Sequence, residues 1–193
     1  MKFRLLYEGQ LAPRPKAKLE DIHAIRMALD PQLRALWQFP PLSSSAPKLL
    51  QYKTEADPNS IGIAETRGNW PFIPIVSKKI DLQCALDITF LRQQAPGQLI
   101  GDGGDIDNRL KTLLDALSVP PPAQKKFFHE EVSEPSPGQA IFCLLQDDSL
   151  IIRLTVETDR LLRPASSKHD LMALIQVSVT ASQLTYANLG IAN

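Results

Sequence analysis

The feature that most constrains the fold is a strict alternation of apolar and mostly polar residues over positions 80–90. Side chains of a strand point alternately to its two faces, so this pattern predicts a long β-strand with one face in a core. Such a face must be covered by helices or by a second sheet. The apolar face consists of Ile80, Leu82, Cys84, Leu86, Ile88 and Phe90.

A helix is predicted shortly after this strand, over residues 106–117. Its apolar residues recur at the spacing of a single helix face, which predicts docking on a core. Further strands are expected at residues 3–7, 150–156 and 171–180, and the last two of these alternate in the same way. A length of 193 residues suits one domain with a proper core. The sequence therefore predicts a single α+β domain in which a mixed β-sheet packs with helices.

The chain divides into three predicted regions. Residues 1–75 form an N-terminal extension with helices at 19–29 and at 30–37, the second opened by Asp30-Pro31 as cap and first position. The rest of that extension, residues 39–74, is expected to be irregular, with one short strand near Ile61. Residues 80–180 form the core, and residues 118–140 within it are expected to be an exposed polar insertion.

Charge and composition limit the possible partners. Lysine plus arginine equal aspartate plus glutamate, so the formal net charge is zero, which argues mildly against binding DNA by a global field. Residues 1–50, however, carry eight basic and four acidic side chains, so a local basic surface is possible. No apolar run approaches a membrane span or a signal-peptide core, which predicts a cytoplasmic protein without a membrane partner.

Two acidic groups carry the clearest chemical signal. Asp105 and Asp107 open the helix at 106–117, with Lys111 one turn after Asp107. A second pair, Asp147-Asp148, precedes the strand at 150–156. Mg²⁺ prefers a few carboxylates together with water and substrate phosphate, and these aspartates supply such ligands. The alternative is structural: acids cap helix N-termini, and Asp107 and Lys111 are spaced for an ordinary helix salt bridge.

The pattern as a whole resembles the core of the RusA family of Holliday-junction resolvases, which are endodeoxyribonucleases. The family motif is D-[LI]-D-N-x-x-K-x-x-x-D-A-L followed by D-D-x-x-[IV]. The chain carries Asp105-Ile106-Asp107-Asn108, then Lys111, then Asp115-Ala116-Leu117, and later Asp147-Asp148-Ser149.

The resemblance implies an activity and a set of residues. It implies Mg²⁺-dependent cleavage of four-way DNA junctions, or related branched DNA, by a homodimer, with Mn²⁺ as a possible substitute. By resemblance, the catalytic and metal-binding acids are Asp105, Asp107 and Asp148, and the catalytic lysine is Lys111. Asn108 and Asp115 match positions expected to be structural. Three features depart from the family: the longer insertion before Asp147, the enlarged N-terminal half and the neutral charge.

Candidates for DNA-phosphate contacts are Arg14, Lys16 and Lys18, followed by Arg109 and the Lys125-Lys126 pair. Two other functions stay open. One is a protein that keeps this fold without catalysis and binds branched DNA or another protein. The other is a nucleotide-sugar transferase that uses Asp105-x-Asp107, which ranks last because no nucleotide-binding sheet precedes it.

Several other residues are expected to be structural. His23, His129 and His169 match no ligand spacing. Cys84 and Cys143 each lie in an apolar segment, which is typical of buried free thiols. The aromatic residues that could stack on bases but are expected in the core are Trp37, Trp70, Phe127 and Phe128.

Overall fold

A computed structural model describes residues 1–50, 61–93, 106–133, 139–164 and 170–191. The described strands are β1 (Lys2–Gln10), β2 (Glu65–Arg67), β3 (Trp70–Val76), β4 (Leu82–Arg92), β5 (Ile141–Leu145), β6 (Ile151–Arg160) and β7 (Asp170–Ala181). The described helices are α1 (Leu19–Leu36), α2 (Leu42–Leu49), α3 (Ile106–Leu117) and α4 (Phe127–Glu130). The fold is α+β, as predicted.

The larger sheet has four strands in the order β1-β7-β4-β6. The alternating segment predicted at residues 80–90 is β4, which lies inside this sheet. It pairs antiparallel with β7 on one side and parallel with β6 on the other, so the sheet is mixed. β1 forms the opposite edge by pairing antiparallel with β7. The strands predicted at 3–7, 150–156 and 171–180 correspond to β1, β6 and β7.

A second sheet of three strands was not predicted. Its order is β2-β3-β5, with β2 antiparallel to β3 and β3 parallel to β5. The turn between β2 and β3 requires Gly68, which has a positive φ of 58°. A Cβ atom at Gly68 would lie 2.6 Å from the carbonyl carbon of Phe128, so the turn also packs closely against α4.

The main core joins both sheets to α1 and α3. The even-numbered face of β4 is buried in it, as its alternation predicts. α1 packs against β5, α3 and β1, and so covers the apolar faces of several elements at once. Representative members of this cluster are Leu29, Ile75, Leu86, Leu113 and Ile175.

The two helices predicted at 19–29 and 30–37 are one helix. α1 continues through Pro31 to Leu36, so the prediction that Asp30-Pro31 starts a new helix is wrong. Asp30 is 6% exposed and does not cap a helix. Its Oδ1 accepts a hydrogen bond of 2.7 Å from the Phe142 backbone N–H, and Arg34 donates to both of its oxygens. Tertiary contacts with β5 thus determine the role of Asp30.

Residues 1–75 are not a peripheral extension, because β1 and β3 are strands of the two sheets. The stretch expected to be irregular contains α2, β2 and β3, while Ile61 lies outside any strand.

The prediction that residues 118–140 are an exposed insertion holds only in part. Val119, Phe127 and Phe128 are buried with Trp70 and Phe72 in a second apolar cluster. Lys125, Lys126, His129 and Glu130 are exposed, as expected. The two cysteines are buried free thiols, and the four large aromatic residues expected in the core are all buried.

Candidate functional site

The motif residues of α3 lie on its solvent side. Asp107 and Lys111 are exposed, whereas Leu113 and Leu117 face the main core. This division follows from the apolar stripe of the helix. Asp105, the first predicted metal ligand, lies outside the described residues. Among the ion pairs of the described residues, none joins Asp107 to Lys111.

The segment Leu11 to Arg14 runs along α3 and is held there by hydrogen bonds. The Thr112 hydroxyl donates to the Ala12 carbonyl at 2.9 Å. The Arg14 backbone N–H donates to the Asn108 carbonyl at 3.0 Å. We call residues 11–18 the basic strap, because Arg14, Lys16 and Lys18 follow directly. The strap places these basic residues beside the helix that carries Asp107 and Lys111.

Arg14 also contacts α3 through its side chain. Its Nε lies 2.5 Å from Oδ2 of Asp115, and both side chains are about two-fifths exposed (37% and 41%). Lys16 and Lys18 are exposed, and neither side chain belongs to an ion pair among the described residues. Of the strap residues proposed for DNA contacts, the two lysines are therefore the more accessible.

Arg109 does not fit the role of a DNA contact. Arg109 is only 1% exposed, so it is among the most buried of the described residues. Its guanidinium donates a short hydrogen bond to the Leu11 carbonyl, which ties the strap to α3. Burial lowers its pKa, and the nearby charge of Arg92 adds to this effect. The expectation of a phosphate contact at Arg109 is thus corrected to a role in anchoring the strap.

The Asp147-Asp148 pair is returned to α3 by the strand that precedes it. At the end of β5, Leu145 forms an isolated parallel bridge with Ser118, and its carbonyl accepts the Val119 N–H at 2.9 Å. Ser118 directly follows α3, so this bridge brings the end of α3 next to the end of β5. The insertion therefore does not carry the acidic pair away from the helix.

The two aspartates of this pair have different roles. Asp147 accepts a 2.9 Å hydrogen bond from the Ser149 N–H and caps a single 3-10 turn, Asp148–Leu150. Hydrogen bonds from Ser149 hold the pKa of Asp147 below its ordinary value, and Lys78 contributes from 3.9 Å. Asp147 is thus engaged in the turn. Asp148 is exposed as well, and since the Asp147 side chain is itself 50% exposed, both carboxylates face solvent.

Asp148 meets α3 near the C-terminal half of the helix. It lines a pocket with Asp115, Arg67 and Gln146. Asp107 precedes Asp115 by eight residues, or about 12 Å of helix axis. In the part of the chain that the structure describes, no three acidic, histidine or cysteine side chains are placed to hold one metal ion. The convergence of Asp105, Asp107 and Asp148 stays a prediction, since Asp105 is not described.

Asp115 contributes more to this surface than the sequence indicated. It was expected to be structural, yet it is partly exposed, pairs with Arg14 and shares a pocket with Asp148. The available signal was its spacing, because Asp107, Lys111 and Asp115 follow one another at four-residue intervals and so share one helix face. We call these three residues the α3 ridge.

Buried Arg26, which sequence reasoning did not single out, fixes the end of the ridge. Its guanidinium donates to the carbonyls of Asp115 at 2.8 Å and Ser118 at 3.3 Å, where helix carbonyls lack intrahelical partners. It also lies 6.0 Å from the ring centres of Phe72 and Phe128. Burial lowers the pKa of Arg26. This arginine holds the C-terminal end of α3 in position.

Arg67 forms the basic wall of the pocket. Its Nε donates to the Pro120 carbonyl at 2.6 Å, and its Nη2 pairs with the Glu65 carboxylate at 2.9 Å. Glu65 in turn accepts from the Gln146 amide at 2.7 Å. These contacts connect β2 to Pro120, near the start of the 118–140 segment, and to Gln146, which follows that segment. The surface thus combines exposed carboxylates with fixed cationic groups, an arrangement suited to a phosphate ligand and a hard cation.

Comparison of the chain with protein-family models, with curated proteins and with solved structures finds no match in any of the three. No helix among the described residues is long and apolar enough to cross a membrane.

Proposed function

We propose that the protein is a Mg²⁺-dependent endodeoxyribonuclease that cleaves four-way junctions or related branched DNA. One observation carries the proposal: the basic strap is hydrogen-bonded along the helix whose exposed ridge bears the motif residues Asp107 and Lys111. This arrangement puts cations of the type that can contact phosphate beside carboxylates that face solvent. In DNA binding, lysine and arginine contacts to phosphate supply most of the non-specific affinity.

The donor set fits the metal that the motif implies. Asp107 and Asp148 present exposed carboxylates, and hard oxygen ligands of this kind are those that Mg²⁺ accepts in small number. Asp105, Asp107 and Asp148 would hold the ion, with Mn²⁺ as a possible substitute. When bound, such a cation activates water and offsets negative charge on a phosphodiester.

The chain's own cations have separate roles in this proposal. Lys111 is exposed one turn beyond Asp107, where its ammonium can contact the phosphate that is cleaved. A positioned cation that meets charge developing in the transition state is typically worth a few kcal/mol. Lys16 and Lys18 bind flanking phosphates, and Arg14 orients Asp115. The proposed setting is DNA recombination and repair in the cytoplasm, by a homodimer with one site for each of two strands.

The decisive experiment replaces Asp107. Asp107→Asn removes one carboxylate charge and keeps the side-chain shape, so Mg²⁺-dependent cleavage of a synthetic four-way junction is expected to fall at least about 100-fold. Junction binding, measured by gel shift in Ca²⁺, should change less than about threefold. Glu130→Gln is the matched control, because Glu130 is an exposed acid on α4.

The same assay extends to the other motif residues. Asp148→Asn and Asp105→Asn are expected to lose cleavage as Asp107→Asn does, and Lys111→Ala to lose it with binding retained. Cleavage by Asp107→Asn at the wild-type rate would refute the assignment.

A second candidate is a protein that binds branched DNA without cutting it. The observation that favours it is the absence, among the described residues, of three ligands placed to hold one metal ion. In that case the wild-type protein would bind four-way junctions but cleave none of a panel of branched substrates in Mg²⁺ or Mn²⁺. Metal-dependent cleavage that Asp107→Asn abolishes would exclude this candidate.

A further inference from the structure

The turn that carries Asp147 and Asp148 is held by the residue before it. Gln146 follows β5 directly, and its backbone N–H donates to the Val76 carbonyl at 2.8 Å, which extends the pairing of β5 with β3 by one residue. Asp148 comes two residues later, and its side chain makes no hydrogen bond or ion pair within the described ranges. The position of its carboxylate is therefore set by the backbone of the turn.

The Gln146 side chain uses both ends of its amide. Its Oε1 accepts the Ser77 hydroxyl at 2.9 Å and the Lys78 backbone N–H at 2.8 Å. Its Nε2 donates to Oε1 of Glu65 at 2.7 Å. A carboxylate only accepts, so the N–H end of the amide has to face Glu65, and both lone pairs of the amide oxygen are then in use. Ser77 is fully buried, so its hydroxyl depends on this acceptor.

The hydrogen bonds continue from Gln146 to the end of α3. Glu65 pairs with Arg67 at 2.9 Å, and Arg67 donates to the Pro120 carbonyl at 2.6 Å. Pro120 lies three residues after Leu117, where α3 ends. The side chains of Glu65 and Arg67 are 18% and 14% exposed, so water competes little with these bonds. A single network thus connects the acidic turn to the helix that bears the ridge.

The other contacts in this region do not replace that network. The bridge between Leu145 and Ser118 holds the end of β5, which precedes the turn. Lys78 lies 3.9 Å from Asp147, but these two side chains are 59% and 50% exposed, and exposed ion pairs of this kind contribute little. Gln146 is therefore the side chain that fixes the turn relative to both β3 and α3.

We propose that Gln146 is a positioning residue for the metal-binding carboxylate of Asp148. The inference rests on the proposed function, from which it takes Asp148 as a ligand. The amide holds the turn so that Asp148 lies against α3, where it shares a pocket with Asp115. Residues that orient the ligands of a metal typically change its affinity by 10-fold to 100-fold when they are lost.

Mn²⁺ binding tests this role without relying on cleavage. Gln146→Met keeps the length of the side chain and removes its three hydrogen bonds, so the dissociation constant of Mn²⁺, measured by electron paramagnetic resonance, should rise at least about tenfold. Junction binding without divalent metal should change less than about threefold, because the strap lysines are untouched. Gln38→Met is the matched control, since Gln38 is exposed after the end of α1, and it should bind Mn²⁺ as the wild type does.

A charge-neutral exchange separates positioning from simple electrostatics. Gln146→Glu sets two carboxylates against each other and adds negative charge beside the site. Charge attraction alone would tighten Mn²⁺ binding, whereas a displaced turn weakens it. In the double variant Gln146→Glu/Glu65→Gln, the new amide donates to the new carboxylate and its oxygen still accepts from Arg67. This variant has the wild-type net charge and should regain most of the Mn²⁺ affinity.

Wild-type Mn²⁺ affinity in Gln146→Met, tighter binding by Gln146→Glu, or no recovery in the double variant would overturn the inference. Circular dichroism at the assay temperature confirms that each variant is folded, and the exchange provides the test if Gln146→Met is not. Wild-type protein that binds Mn²⁺ through Asp148 but cuts no junction would refute the nuclease proposal alone. Junction cleavage together with unchanged Mn²⁺ affinity in the Gln146 variants would refute this inference alone.

Discussion

At the scale of single residues, charged side chains of types usually found on the surface are buried here and hold neighbouring segments together through hydrogen bonds. Arg26 and Arg109 are 2% and 1% exposed, and each donates to backbone carbonyls that would otherwise lack partners. Asp30 is 6% exposed and accepts the Phe142 N–H. Buried charges are tolerated when such hydrogen bonds satisfy them. Periodicity cannot predict these roles, because the partner of each residue is remote in sequence.

His23 gives a prediction about pH at this scale. It packs edge-on against Phe128 at 5.3 Å and against Phe127 at 6.0 Å between ring centres. Burial lowers its pKa to about 4, and the charge of Arg26 adds to the shift. In the unfolded chain its pKa is about 6.5, so the unfolded state takes up more protons between these values. Stability from the neutral imidazole is therefore fully present above pH 6.5 and is lost as the pH falls towards 4.

Urea unfolding of the wild type at pH 7 and pH 4.5 should show this loss. We expect roughly 1–2 kcal/mol from His23, less than a fully buried group would give because the ring is partly exposed. His23→Gln should remove this part of the pH dependence, whereas His129→Gln, at an exposed position, should keep it. The same fall in stability for both variants would show that other groups are responsible.

At the scale of elements, sequence patterns predicted the strands with one buried face and missed those with two. β4 and β7 alternate because one face meets the core and the other meets solvent. All five residues of β5 are buried, and a short apolar run of this kind carries no period. β3 contains Pro71 and Pro74, which argue against a strand in a sequence taken alone. Asp30-Pro31 caused a different error: it predicted the start of a new helix, but α1 continues through it.

Asp30 connects α1 to β5 and provides a test of this packing. Asp30→Ala removes the acceptor for the buried Phe142 N–H and the carboxylate that binds Arg34. An unpaired buried N–H and a lost charged hydrogen bond together should lower the free energy of unfolding by about 2–4 kcal/mol. Asp30→Asn keeps an acceptor oxygen and should lose clearly less. Chemical denaturation at pH 7 measures both, and a loss below about 0.5 kcal/mol for Asp30→Ala would contradict the anchoring role.

At the scale of the whole molecule, the zero net charge and the proposed DNA substrate are reconciled by where the charges lie. Of the candidate site, only the exposure of Asp107 and Lys111 follows from the sequence, because neither residue belongs to the apolar stripe of α3. The path of the basic strap along α3 does not, because it depends on Arg109 and Thr112 reaching carbonyls about a hundred residues earlier in the chain. With no global positive field, binding of DNA has to rely on a few local phosphate contacts.

This reasoning predicts a weak salt dependence that the strap lysines dominate. Each phosphate contact contributes about 0.9 to the slope of log K against log salt concentration for duplex DNA. Lys16 and Lys18 are exposed, so the double variant Lys16→Gln/Lys18→Gln should lower the magnitude of that slope by nearly 2 and weaken junction binding about 10-fold or more at 0.1 M salt. Fluorescence anisotropy with a labelled four-way junction, titrated at several salt concentrations, measures both quantities. Lys125→Gln/Lys126→Gln removes the same charge at two exposed lysines that are not part of the strap, and should change the slope by less than half as much. Equal effects of the two double variants would mean that the strap has no special part in binding DNA, because affinity would then follow total charge and not the position of the lysines along α3.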